Sequence, residues 1–187
     1  MRAIRSIRSL AAALAVGLLS APVWAAPAPA TAPVQGVWVA RQVHFVYQGF
    51  TTYFSCGGLR DQIERMLTKL GARDLKLRED PCVRPGFPDP FPGVRVKMQV
   101  LVPAGAHVPD ASRVAAHWQK VVLTRSGADF NQGGKCELVG QFRRVFLPLF
   151  AARHIVMHST CVPHQIMMGT YLSAEVLVPD RAAPARH

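Results

Sequence analysis

Residues 99–104 read Gln-Val-Leu-Val-Pro-Ala, and residues 175–180 read Glu-Val-Leu-Val-Pro-Asp. A shared Val-Leu-Val-Pro string is weak alone, so its weight depends on what surrounds it. Laid over itself at an offset of 80, the chain matches Trp38 with Trp118, Cys56 with Cys136, Met66-Leu67 with Phe146-Leu147, Leu70 with Phe150 and Ala72-Arg73 with Ala152-Arg153. Leu75 and Leu77 then meet Ile155 and Met157, and after deletion of one residue Cys82 meets Cys161. Matched tryptophans, cysteines and string together predict a tandem duplication.

The repeated unit can be read twice. Val37 to Tyr47 and Trp118 to Thr124 are rich in β-branched and aromatic residues and predict an opening strand. Leu59, Ile63, Met66, Leu67 and Leu70 make one apolar stripe at helical spacing, closed by Gly71 as a C-terminal cap. Leu138, Phe142, Val145, Phe146, Leu149 and Phe150 form the second stripe, which Pro148 should kink or tighten, because its ring clashes with the carbonyl four residues back. Asp74 to Glu79 and His154 to Ser159 predict short strands. Val94, Val96, Met98 and Val100 alternate with Arg95, Lys97 and Gln99, and Tyr171 to Val178 takes that part in the second copy. The expected fold class is therefore α+β: a βαββ unit repeated in tandem, forming a largely antiparallel six-stranded sheet with two helices on one face and two disulfides.

The N-terminus carries Arg2, Arg5 and Arg8, then an apolar run from Leu10 to Leu19 that is too short to span a bilayer, then small residues around Ala25. That pattern predicts a signal peptide cleaved after Ala25, with no lipid-anchor cysteine near the cut and no twin arginine. The alanine-, arginine- and proline-rich style suggests a bacterium, hence a periplasmic or secreted protein. The expected organisation is residues 1–25 as signal peptide, 26–36 as a Pro/Ala-rich linker, 37–103 as the first repeat, 104–116 as a connecting loop, 117–180 as the second repeat and 181–187 as a disordered tail.

The full chain has 22 Lys and Arg against 11 Asp and Glu, a formal charge of +11. Loss of the three leader arginines leaves 19 against 11, or +8. That balance favours an anionic ligand or an acidic face of another envelope protein, and equally serves solubility. No later segment predicts a transmembrane helix, and no motif is specific for nucleic acid. The cations that alternation places away from the helices are Lys76, Arg78, Arg95 and Lys97, which makes them the expected contact residues for an anion or partner.

In an exported chain four cysteines read first as disulfides. Each repeat places one cysteine where its helix begins and one just after the following strand, 26 and 25 residues apart. The expected pairs are Cys56 with Cys82 and Cys136 with Cys161, each worth about 3 to 4 kcal/mol through the unfolded chain.

Residues 153–164, Arg-His-Ile-Val-Met-His-Ser-Thr-Cys-Val-Pro-His, invite a metal reading. His154 and His158 would lie roughly 13 Å apart on a strand, however, whereas two imidazoles sharing an ion need nitrogens within about 3 to 4 Å. Met157 points toward the core and Cys161 has a disulfide partner. What remains is a copper or zinc site at His158, His164, Met167 and Met168, with His44 a further candidate imidazole. The alternative for Met167 and Met168 is a hydrophobic plug before a strand. There is no HExxH, no GxSxG and no phosphate-cradling glycine loop, so neither a catalytic residue nor a cofactor is expected. The insertion Arg84-Pro-Gly-Phe-Pro-Asp-Pro-Phe-Pro-Gly93, absent from the second copy, exposes Phe87 and Phe91 unless they fold back, and is a second candidate contact surface or a lid over the sheet edge.

The stretches Tyr53-Phe-Ser-Cys-Gly-Gly-Leu-Arg60, Leu70-Gly-Ala-Arg-Asp-Leu75 and Cys161-Val-Pro-His-Gln165 resemble an uncharacterised family of small exported proteobacterial proteins. The resemblance covers most of the chain after the leader. It implies an exported, disulfide-bonded bacterial protein and brings no activity. The functional expectation is a non-enzymatic binding or interaction module that works through its basic sheet face or its proline loop, with the metal-binding protein as the alternative.

Overall fold

The structure, a computed structural model, describes residues 34–49, 53–82, 87–105, 107, 109–124, 136–158 and 171–180, the side chains of residues 124 and 136 excepted. In chain order the elements are β1 (Val34–Val46), α1 (Cys56–Lys69), β2 (Arg73–Glu79), β3 (Gly93–Pro103), β4 (Val114–Thr124), α2 (Cys136–Val145), β5 (Ala152–His158) and β6 (Tyr171–Pro179). The six strands form one sheet in the order β2-β3-β1-β4-β6-β5, and every neighbouring pair is antiparallel. The architecture is α+β.

The helices form for local reasons that also fix which face they bury. Ser55 caps α1 by accepting a hydrogen bond from the Gly58 N–H at 3.1 Å, and Gly71, at φ 85°, carries the chain out of the helix in a conformation that favours glycine. The stripe Leu59, Ile63, Met66, Leu67 and Leu70 is buried, as are Leu138, Phe142, Phe146 and Phe150 of the second stripe. All of them join one core with Phe45, Val94, Val96, Met98, Val100, Val121, Leu123, Leu172, Ala174 and Val176. Both helices therefore cover the same face of the sheet. α2 is shorter than its apolar stripe, because at Pro148 the chain tightens into a 3-10 turn over Leu147–Leu149.

The two halves of the chain share that core. Phe45 of β1 meets Phe146 edge-on at 5.3 Å between centroids, and Tyr47 places its hydroxyl 3.3 Å from Glu137 at the start of α2. Burial, then the neighbouring Glu137 carboxylate, pushes the Tyr47 phenol above the usual range. Gln141 of α2 clamps the Gln48 backbone at both its N–H and its carbonyl. Gly49 follows because any Cβ there would collide with the Tyr47 ring.

The strands begin earlier than their sequence pattern suggests. Residues 34–36, expected in the linker, and 114–116, expected in the connecting loop, are strand. They are also the residues that join the halves, through Val34 with Ala116, Gln35 with Ala115 and Gly36 with Val114. Their extended form comes from pairing across the chain rather than from local preference. Beside this joint, the Ala104 N–H bonds the Gln35 carbonyl at 2.8 Å, and the Asp180 N–H bonds the Ala115 carbonyl at 2.9 Å.

Ile155 departs from its expected core position and is 41% exposed. It lies within a register shift between Arg153 and Val156, where His154 takes φ 50°. Such a bulge turns a side chain off the strand's alternation. An equivalent shift lies between Arg73 and Lys76, where Asp74 takes φ 51°.

One disulfide, Cys56–Cys82, ties the start of α1 to the segment after β2 across 6.3 Å between Cα atoms. Cys161 lies outside the described residues, as do the expected leader, most of the expected linker and the expected tail.

Candidate functional site

Among the described residues no helix covers the opposite face of the sheet, and its middle is closed by its own side chains. Trp38 stands opposite Leu101 and Trp118 opposite Leu177, and these gather with Ala116 into a small second core. The Arg73 guanidinium lies over the Trp38 ring at 3.8 Å, and Arg153 lies over Trp118 at 4.3 Å. Arg73 also donates to Gln99 and Arg153 to Glu175. These paired stacks shield apolar surface, which leaves the two ends of the open face to meet a ligand.

At the end formed by β2, β3 and β1, alternation brings the four expected cations together. Lys76 stands directly opposite Lys97, and Arg78 directly opposite Arg95. All four are exposed. Arg95 is also opposite His44 across β1, and both bond Asp80, Arg95 at 3.1 Å and His44 Nε2 at 2.5 Å. Among the described residues no carboxylate pairs with Lys76, Arg78 or Lys97. Like charges directly opposed on adjacent strands are destabilising, so this patch opposes folding locally while presenting a cationic surface to solvent.

At the other end, formed by β4, β6 and β5, the corresponding surface is different. Lys120, Val122, Val156, Tyr171 and Ser173 line an open depression of about 400 Å³. Of the two described candidate metal ligands, His158 stacks on the Tyr171 ring at 5.7 Å and His44 is bonded to Asp80 at the other end of the sheet. His164, Met167 and Met168 lie outside the described residues, and among the described residues no three His, Cys, Asp or Glu side chains converge as a metal site. Glu175, beside the depression, is held below the usual carboxylate range first by the hydrogen bond from Arg153 and then by that from His154.

The described part of the proline insertion is anchored at its backbone. The Asp89 N–H bonds the Phe54 carbonyl at 3.0 Å, the Asp89 carboxylate accepts from the Phe91 N–H at 2.9 Å, and the Tyr47 N–H bonds the Pro92 carbonyl at 3.0 Å. Phe87 and Phe91 do not fold back and are exposed. Tyr53, next to Phe54 of the Phe54–Asp89 bridge, is exposed. Sequence reasoning missed Tyr53, and the signal that would have found it is its place beside the residue that anchors the loop.

No helix among the described residues is long and apolar enough to cross a membrane. Neither a protein-family model, a curated protein nor a solved structure matches this chain.

Proposed function

We propose that this chain is an exported binding module that holds an anionic partner on the cationic end of its open sheet face, through Lys76, Arg78, Lys97 and Arg95. The observation that carries the reading is the direct opposition of Lys76 with Lys97 and of Arg78 with Arg95, with three of the four cations unpaired by any described carboxylate. A surface that only served solubility would gain by interspersing its signs. An anionic partner turns the repulsion into attraction, and releases it on binding.

Export is supported by the leader-like N-terminus and is compatible with the Cys56–Cys82 disulfide. The resemblance to exported proteobacterial proteins points the same way. The duplication belongs to this reading as well. In its favour, the strand order mirrors about the β1–β4 joint, and the bulges at Asp74 and His154 and the stacks of Arg73 and Arg153 recur 80 residues apart. The joint itself centres on Gln35 and Ala115, which are matched positions at that offset. The same correspondence pairs Cys136 with Cys161.

The test is binding to heparin, a soluble polyanion, across a salt series. The protein should bind with a log-log salt slope of about −2 to −4, as expected for a few released counterions. The Lys76→Gln, Arg78→Gln, Lys97→Gln variant should lose at least about tenfold in affinity and flatten that slope. Unchanged affinity in the triple variant would remove this face from the function.

A further inference from the structure

We infer that the anionic partner is a bilayer surface, met by the cationic patch together with the exposed rings of Tyr53, Phe87 and Phe91. This rests on the patch being the binding face and adds what it binds. The three rings are 58%, 63% and 64% exposed, while the backbone that carries them is held by the Phe54–Asp89 bridge and the Tyr47–Pro92 hydrogen bond. Phe54 between them is buried edge-on against Tyr47 at 5.0 Å. The loop thus has its own aromatic anchor, and the outer rings are not needed for it.

The rings and the cations lie at the same end of the sheet. Phe91 precedes Arg95 by four residues, at most about 13 Å of extended chain. Val46, itself exposed, pairs with Gly93, and the next outward-facing pair along the ladder is His44 with Arg95. The Asp80 N–H bonds the Gly93 carbonyl at 3.0 Å, joining the loop's end to the residue that braces Arg95 and His44.

Two kinds of exposed group at one end of the sheet narrow the partner. A soluble polyanion satisfies the cations and leaves the rings in water. An anionic bilayer satisfies both, because headgroup phosphates meet the cations and the rings enter the headgroup and acyl boundary, where aromatic side chains are favoured. Each basic side chain near such a surface contributes roughly a fivefold affinity factor. Pro88, Pro90 and Pro92 beside the phenylalanines restrict the backbone there, which limits the entropy cost of ordering it on binding.

The experiment uses the exported form of the protein, its N-terminus read by mass spectrometry, in co-sedimentation with vesicles of phosphatidylcholine alone or mixed with phosphatidylglycerol, and in parallel with heparin. The protein should sediment with the mixed vesicles and not with phosphatidylcholine alone. Phe87→Ser with Phe91→Ser should lower vesicle partition about tenfold or more and leave heparin affinity within about twofold, with an unchanged urea midpoint showing that the variant is folded. Lys76→Gln with Lys97→Gln should weaken both. Heparin binding without vesicle binding, or vesicle binding indifferent to the two serines, would overturn the bilayer inference and leave the cationic face standing. Equal binding to phosphatidylcholine would overturn it too, and capture of neither probe would overturn both readings.

Discussion

The two ends of the open sheet face lie at the two edges of one strand order and carry different chemistry. Where the first half sets Lys76 and Arg78 on its edge strand, the second sets Val156 and His158; where β3 presents Arg95 and Lys97, β6 presents Tyr171 and Ser173. The backbone beneath is alike in both halves, including the left-handed residue, the register shift and the arginine laid on a tryptophan. Features that recur belong to holding the sheet together. Features that differ are free of that duty, and the like charges opposed in the cationic cluster add nothing to it.

This comparison can be broken most severely in what the halves share. Phe146 belongs to the second half but packs on Phe45 of the first, so Phe146→Ala should cost about 3 to 5 kcal/mol, in a single unfolding transition followed in urea. Two separate transitions would mean that the halves have separate cores.

A smaller effect probes the repeated backbone. Asp74 and His154 are exposed and left-handed, so a β-branched side chain is strained at either position for the same reason. Asp74→Val and His154→Val should each cost about 1 to 2 kcal/mol, and the two costs should agree within error when measured as shifts in the urea midpoint. Unequal costs would mean that the bulges serve different ends.

The smallest effect lies where the shared scaffold diverges in charge. Arg153 bonds the titratable Glu175, whereas Arg73 bonds the neutral Gln99. A carboxyl depressed in the folded state contributes stability above its unfolded value and loses it as the pH falls through the folded value. Urea midpoints taken down through that acidic window should therefore fall slightly less in Glu175→Gln, which makes the second half resemble the first. No change in the acid limb would mean that the Arg153–Glu175 contact is too solvent-screened to matter.

Much of the fold was legible because its periodicity is local. The spacing of Leu59, Ile63, Met66 and Leu67 marks a helix face by geometry alone, and the alternation from Val94 to Val100 decides which side of β3 carries Arg95 and Lys97. The cysteine spacing likewise pointed to Cys56 with Cys82. The left-handed turns at Asp74 and His154 were not legible, since neither residue type demands such a turn, and inside them Leu75 packs on the core as its pattern suggests while Ile155 does not. The rings of Tyr53, Phe87 and Phe91 illustrate the same limit: a phenylalanine in a proline-rich loop can be core or surface, and only the packing of Phe54 on Tyr47 shows which aromatic fills the interior.

From the sequence alone came the element types and the side of most strands that would be apolar, because these depend on residues near one another along the chain. The tertiary structure decided that residues 34–36 and 114–116 are strand, that Lys76 meets Lys97 and Arg78 meets Arg95 directly, and that the middle of the open face is closed by tryptophan and arginine. Register between strands distant in sequence follows from the packing of the whole core, and one residue of slip would have sent every one of those side chains to the other face.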